Sequence, residues 1–340
     1  MNPKILIAGN WRAEIHEASL ERGFNFLGCE VFRFSFLEVF PESIFGKIQR
    51  KLSFGPHINL LNRRFVEKCR NTRPNIIFIY RNLFISRESL LEVRAAIPKV
   101  KIFYYNNDDA FSNLYPFMYW QRHKTCVPVC DVIFAYRKKN ICEYNAIGAR
   151  RCELLPPWFL QKNIRVPRKK EFSCDILFAG HYEHDGRLAF VKRLAQTQYS
   201  FRLFGPEWNK IVSSEPELRH LYPVSYLSGD DYIDSLNSAR VCLSFFSHLN
   251  NDQYTRRCFE IPAAGSVLAA PETQGLNDFV QAGLEYLPFS NVDDLIRALT
   301  SILDNNKKRY EIAKNGNKRI IDGENSEYDR AKFILKFYEE

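Results

Sequence analysis

No stretch of this 340-residue chain approaches the roughly 18 consecutive apolar residues that a membrane-spanning helix needs. No spanning helix is therefore expected. The opening MNPKILIAGN lacks a signal-peptide layout and reads as a first buried strand. The nine cysteines are scattered: the closest pair, Cys126 and Cys130, has no second pair and no His cluster at zinc spacing. An odd number of cysteines without a secretion signal implies reduced thiols in the cytosol, most of them small core residues. An Asp-x-Asp motif that could hold a divalent metal is missing. So are the zinc-finger, helix-turn-helix and RNP-type patterns of nucleic-acid readers, and no short internal repeat is visible.

What is present is apolar and aromatic. With 46% hydrophobic and 14% aromatic residues the chain can build two cores, and its length favours two domains. The net charge of +9 is unevenly placed. Residues 1–165 hold 26 Lys/Arg against 14 Asp/Glu, a net of +12, while the remainder holds 22 against 25, a net of −3. A basic first half suits an anionic partner, although a solvated surface has the same composition.

Short apolar runs alternate with helical patterns. KILIA (4–8) reads as a strand and 13–22 as a helix, and the basic, Phe-rich segment 41–73 carries an amphipathic helix. PNIIFIY (74–80), KIFYYNNDD (101–109) and DVIFAY (131–136) read as buried parallel strands, with Ser86 capping the helix between the first two. Residues 154–172, rich in proline and basic side chains, break the rhythm as a linker. The pattern restarts with CDILFAG (174–180), SFRLFG (200–205), VCLSFF (241–246) and SVLAA (266–270), each followed or preceded by a helix, and a last helix, SEYDRAKFILKFYEE, closes the chain. Such alternation predicts an α/β protein of two doubly wound, Rossmann-like parallel-sheet domains with a cleft between them. The expected boundaries are 1–155, a linker at 156–172, 173–322, and a C-terminal helix at 323–340 that packs back toward the first domain.

The stretch DQYTRRCFEIPAAG (252–265) is chemically the most specific. Asp252 stands eight positions before Glu260, with Arg256 and Arg257 between them, in a loop and helix that follow a parallel strand. Ligands of open parallel sheets bind at the carboxyl ends of strands, near helix starts. Arginines there favour phosphate or diphosphate. A carboxylate beside them would repel phosphate, so Glu260 and Asp252 point instead to vicinal hydroxyls, as on a ribose and a sugar. Together these groups read as a nucleotide-sugar site. The alternative is structural: Glu260 caps its own helix, Arg257 pairs with it, and the PAAG segment packs closely.

The stretch TRRCFEIPAAGSVLAAPETQGLNDF resembles the signature of the CgeB-like (spore-protein) glycosyltransferases of the GT-B fold, which are related to retaining glycosyltransferases with a Glu-x7-Glu motif. RPNIIFIYRNLFIS, KIFYYNNDDAF, DVIFAYRKKNICEYNAIGA, CDILFAGHYEHDGR and SLNSARVCLSFF follow in the family's order, so the resemblance runs from about residue 74 to 320. It implies that Glu260 holds the ribose, that Asp252, one methylene shorter than the family's Glu, faces the donor sugar, and that Arg257 and Arg187 hold the diphosphate. It further implies ligand-near backbone at Gly265 and Ser266 and at the strand-ending Gly180, and it sets FGPEW and VSYL around the base, where Tyr226 or Trp208 would stack; an aromatic there is more often core. His181, near the loop after Gly180, is the best histidine candidate for donor contact, although a lone His is more often structural. Asp108 and Asp109 match an acidic pair on the acceptor side, as a general base or a positioning group; a helix cap is the alternative for both. His16 and His184 are weaker candidates.

The expectation is thus a glycosyltransferase, cytoplasmic or peripheral at the inner face of the membrane, that passes a sugar from a nucleotide-sugar to a glycan or lipid-linked hydroxyl acceptor. Retention is implied, and neither metal nor other cofactor nor nucleic acid is expected. Competing expectations are a GT-B protein that binds without catalysis, an epimerase acting on the donor sugar, and a basic nucleic-acid-binding protein.

Overall fold

A computed structural model describes residues 2–339. The chain divides into two compact units: one runs to Pro156 and takes in the chain from Glu327 on, and the other is Pro157–Ser326.

The first unit contains β1 (Lys4–Gly9), α1 (Ser19–Phe26), β2 (Glu30–Ser35), α2 (Ile44–Leu52), α3 (Pro56–Thr72), β3 (Ile76–Tyr80) and α4 (Arg87–Ala96). β4 (Lys101–Asn106), α5 (Gln121–Cys126), β5 (Val132–Ala135), α6 (Lys138–Ala146) and β6 (Cys152–Leu154) follow. The strands form one sheet in the order β2-β1-β3-β4-β5-β6, every pairing parallel. All five residues of β3 are buried, as are all of β4 after Lys101. A parallel strand covered on both faces needs an apolar side chain at every position, which is why IIFIY and IFYY read as continuous runs.

The second unit contains β7 (Cys174–Ala179), α7 (Arg187–Ala195), β8 (Phe201–Phe204), α8 (Trp208–Ser214), α9 (Gly229–Ser238) and β9 (Ala239–Leu243). α10 (Arg257–Ala263), β10 (Val267–Pro271), α11 (Gln274–Asn277), β11 (Leu287–Phe289), α12 (Val292–Leu303) and α13 (Asn306–Asp322) complete it. Its parallel sheet has the order β11-β10-β9-β7-β8. α14 (Glu327–Glu339) packs on α1 in the first unit, where the Phe26 and Tyr328 rings lie 4.6 Å apart.

Two parallel sheets flanked by helices realise the α/β, doubly wound class read from the sequence. Local differences have local causes. The helix expected over 13–22 is a π turn at Glu14–Ala18 followed by α1. The amphipathic segment is two helices, because Ser53 and Gly55 take φ of 51° and 118° and turn the chain between them. β2, which the sequence reading did not assign, is an edge strand whose first four residues are exposed or only partly covered, so its apolar run is diluted by Glu30 and Arg33. The proline-rich stretch after Pro156 runs along the second unit: the Phe159 amide donates to the Asn325 carbonyl at 3.1 Å and the Arg165 amide to the Ala263 carbonyl at 3.0 Å.

Candidate functional site

In the second sheet the chain leaves β7 toward β8 on one side, and later elements build β9, β10 and β11 on the other. The connections therefore diverge between β7 and β9, and the carboxyl ends of those strands form the topological switch point, where open parallel sheets bind ligands. The loops there are residues 180–186 and 244–256.

Arg257 begins α10 and reaches across this point. Its Nε donates to the Ala179 carbonyl at the end of β7, 2.5 Å away. A Cβ on Gly180 would stand 3.2 Å from the same guanidinium. Arg256 turns the other way, its guanidinium 5.4 Å over the Trp158 ring. Two adjacent arginines thus have different tasks: one packs on an aromatic face, and the other stands beside the strand end. Glu260 lies one turn after Arg257 on the same side of the helix. It is buried, and one oxygen accepts the Tyr232 hydroxyl at 3.0 Å. Burial raises its carboxyl above the ordinary range, against the opposing pull of Arg256, Arg257 and the Tyr232 hydrogen bond. Tyr232, on α9, was not singled out from the sequence; within GDDYIDSLNS nothing separates it from a core tyrosine.

The loop after β7 is tightly cross-linked. Arg187 is buried and forms a two-point pair with Asp185, with Nε to Oδ1 at 2.7 Å, while Nη1 donates to the His181 carbonyl at 2.6 Å. Its fork is filled by protein groups, so in this structure Arg187 holds the loop in shape. His181 is exposed and lies 2.6 Å from Glu183. Burial works to raise Glu183, but His181, Arg187 and Ser247 together hold it below the usual carboxylate range. Ser247 also ties in the second loop, since its carbonyl accepts the Asp252 amide at 3.0 Å. Asp252 is half-buried there. Gly205, with φ of 130°, is needed for the close approach of the next strand's end: a Cβ there would fall 2.2 Å from the Gly180 carbonyl oxygen, while a Cβ on Gly180 would stand 2.7 Å from the Phe178 ring.

Two expectations, for Gly265 and Ser266, are corrected by placement. Gly265 and Ser266 stand at the far end of α10, at the amino edge of the sheet. A Cβ on Gly265, whose φ is 78°, would collide with the Val166–Pro167 backbone at 2.8–2.9 Å. The Ser266 hydroxyl donates to the Ala239 carbonyl at the start of β9, 3.0 Å away. Both are packing residues, separated from the strand ends by the length of the helix. Trp208 is core: it has no exposed surface, its indole N–H donates to the Gly180 carbonyl at 2.8 Å, and Phe178 meets it edge-on. Tyr226, by contrast, is solvent-exposed, and its neighbour Ser225 accepts the Gly205 amide at 2.9 Å, which keeps this aromatic at the carboxyl edge.

In the first unit Asp108 and Asp109 follow β4, and they separate. Asp109 is fully buried, with its oxygens on the Phe111 amide (3.0 Å), Asn140 (2.8 Å) and Lys139 (3.2 Å). A carboxylate so enclosed shapes the turn and cannot meet an incoming hydroxyl, which corrects its reading as a base. Asp108 is only partly covered and pairs with Arg81. His16 lies at this sheet's own switch point, between β1 and β3, with Nδ1 2.8 Å from the Tyr80 hydroxyl.

Residues 187–336 match the model of a family described as glycosyl transferase-like. No curated protein matches the chain. Among solved structures, the whole chain is similar to HepE from Anabaena, solved in complex with UDP-glucose (12% identity, 98% of this chain and 99% of that one, TM-score 0.67). It is also similar to sucrose-phosphate synthase from Thermosynechococcus elongatus (14% identity, 99% and 98% covered, TM-score 0.70). A glycosyltransferase from Rickettsia africae ESF-5 is a third (12% identity, 99% and 98% covered, TM-score 0.68). At such identities the likeness establishes the GT-B fold over both units.

Proposed function

We propose that this chain, a glycosyltransferase of GT-B fold, moves a sugar from a nucleoside diphosphate donor to a hydroxyl of a glycan or lipid-linked acceptor, with retention and without a metal. The observation that carries this reading is the pairing, on one turn of α10, of Arg257 beside the end of β7 with the buried Glu260. Arg257 bears on the diphosphate, Glu260 on the ribose hydroxyls, and Asp252, with His181 nearby in the loop after β7, on the sugar. Tyr226 offers its ring to the base. HepE's complex with UDP-glucose supports a uridine donor, and the order of motifs supports the CgeB-like subtype.

In the reaction, the bond from the sugar's anomeric carbon to the diphosphate oxygen breaks. The acceptor oxygen bonds to that carbon, and its proton passes toward the leaving diphosphate. Negative charge grows on the leaving group, so Arg257 interacts more strongly in the transition state than in the ground state. Asp108, in the first unit, orients the acceptor hydroxyl. Peripheral contact of the first unit with a membrane surface belongs to the same reading.

Thermal unfolding with UDP, GDP, dTDP, CMP and their sugars tests it. One nucleotide at about 100 times its Kd should raise Tm by roughly 5–10 °C. Arg257→Ala should weaken that binding by about 1.5–3 kcal/mol, roughly 10- to 150-fold, and Glu260→Ala should abolish the shift. No shift with any nucleotide sinks the donor assignment. Release of an altered free sugar nucleotide without acceptor would identify an epimerase instead.

A further inference from the structure

α2 is amphipathic in an inverted sense. A surface helix ordinarily turns its apolar stripe toward the core. Here the residue that α2 buries is Gly46, and a Cβ there would lie 2.1 Å from the Pro41 carbonyl oxygen. The glycine lets the helix sit tightly on its own N-terminal turn, so the opposite side points outward. At 100° per residue, Ile44, Phe45, Ile48 and Leu52 fall within one arc about 100° wide. That arc is exposed: Ile44 and Phe45 at 76%, Leu52 at 67%, with Ile48 at 47%, and Phe54 follows at 77%. Lys47 and Lys51 border the stripe, Arg50 lies beyond them, and the helix contains no acid. Lys47 has Glu42 at 4.0 Å, both in water, which leaves its charge largely available.

A second exposed apolar pair, Phe117 (83%) and Met118 (70%), lies on the segment that follows β4. Both segments leave the carboxyl edge of the first sheet, and Phe84 after β3 joins their anchors. Its ring lies 5.2 Å from that of Phe40, just before α2, and its carbonyl accepts Arg122 at 2.8 Å, just after the 117–118 pair. Asp108 leaves the same edge.

We infer that α2 with Phe54, assisted by Phe117 and Met118, docks the first unit on an anionic lipid bilayer. The stripe would enter the boundary of headgroups and acyl chains, and Lys47, Arg50 and Lys51 would meet lipid phosphates. No helix among the described residues is long and apolar enough to cross a membrane, so the contact lies on the surface. A second copy of the chain is disfavoured as the occupant because two stripes edged by lysines would bring like charges together. The inference deepens the proposed function by naming the platform on which the acceptor is met, and it rests on that reading only for the purpose of the contact.

Co-sedimentation of the full chain with vesicles, in the absence of nucleotide-sugar, is the test. Vesicles of phosphatidylcholine containing phosphatidylglycerol should bind the protein, and phosphatidylcholine alone should bind it far less. Phe45→Glu with Ile48→Glu should weaken binding by at least about tenfold. Lys47→Gln with Lys51→Gln should weaken it and flatten its dependence on salt. Unchanged Tm values would show that both variants fold, as substitutions on an exposed face should. The inference is overturned if the wild type ignores anionic vesicles or if the Phe45/Ile48 variant still binds them. It is equally overturned if that variant instead dissociates a dimer that itself never bound vesicles. Because the assay contains no donor, its failure leaves the nucleotide reading standing, and a silent nucleotide panel leaves the vesicle result standing.

Discussion

A carboxylate enclosed by a fold resists ionisation, and the fold carries that cost until a ligand offsets it. Glu260 is in this position: its proton is held more tightly in the folded chain than in the unfolded one. Its neutral form therefore favours the native state at low pH, and that advantage is lost as pH rises from the ordinary carboxyl range through the raised folded value. Glu260→Gln keeps the shape and the partner for the Tyr232 hydroxyl but removes the buried charge. The apo variant should match or exceed the wild-type Tm at pH 7, lose the decline with rising pH, and no longer respond to nucleotide. A lower Tm at pH 7 would make Glu260 a structural cap. The pairing of Glu260 with Arg257 was legible in the sequence because helical spacing is local. The fates of Arg187 and Asp109 were not, since nothing in one dimension says that Asp185 fills the first or that Asn140 and Lys139 enclose the second.

At the scale of elements, α10 and α13 show how packing reverses a propensity. A glycine inside a helix normally costs about 1 kcal/mol relative to alanine. Gly316, within α13, faces the Glu285 backbone, where a Cβ would stand 2.3 Å from the carbonyl oxygen. Gly316→Ala should therefore destabilise by roughly 1–3 kcal/mol and lower Tm in a thermal scan, where an exposed helical site would raise it. α10 explains the misplacement of Gly265 and Ser266. They adjoin Glu260 in sequence, yet the helix runs from the carboxyl edge of its sheet to the amino edge and carries them away from the strand ends. Closeness along the chain is closeness in space only within about a helical turn.

For the whole molecule, the residues proposed for the donor gather in one of the two units. The family match lies mostly in the second unit, as do Arg257, Glu260, Asp252 and Tyr226. On addition of the nucleotide that stabilises the protein, hydrogen exchange should slow in residues 180–186 and 244–260, while the first unit's sheet should be little changed. Protection confined to the first unit would move the donor site there.

The sequence by itself determined the class of the fold, because strands buried on both faces must be apolar at every position and their alternation with helices admits few topologies. It also determined the contiguous motif that places Arg257 and Glu260 on one helical turn. Only the tertiary structure decided which polar side chains are already satisfied by others, as with Asp109 and Arg187. It alone decided that Trp208 is core while Tyr226 is exposed, and that the apolar stripe of α2 faces outward. Asp109 and Trp208 are settled by partners about 30 residues away in the chain. Arg187 and α2 are settled by near neighbours in sequence, through the fold of a loop and a turn. Helical or strand periodicity carries no information about either kind of contact.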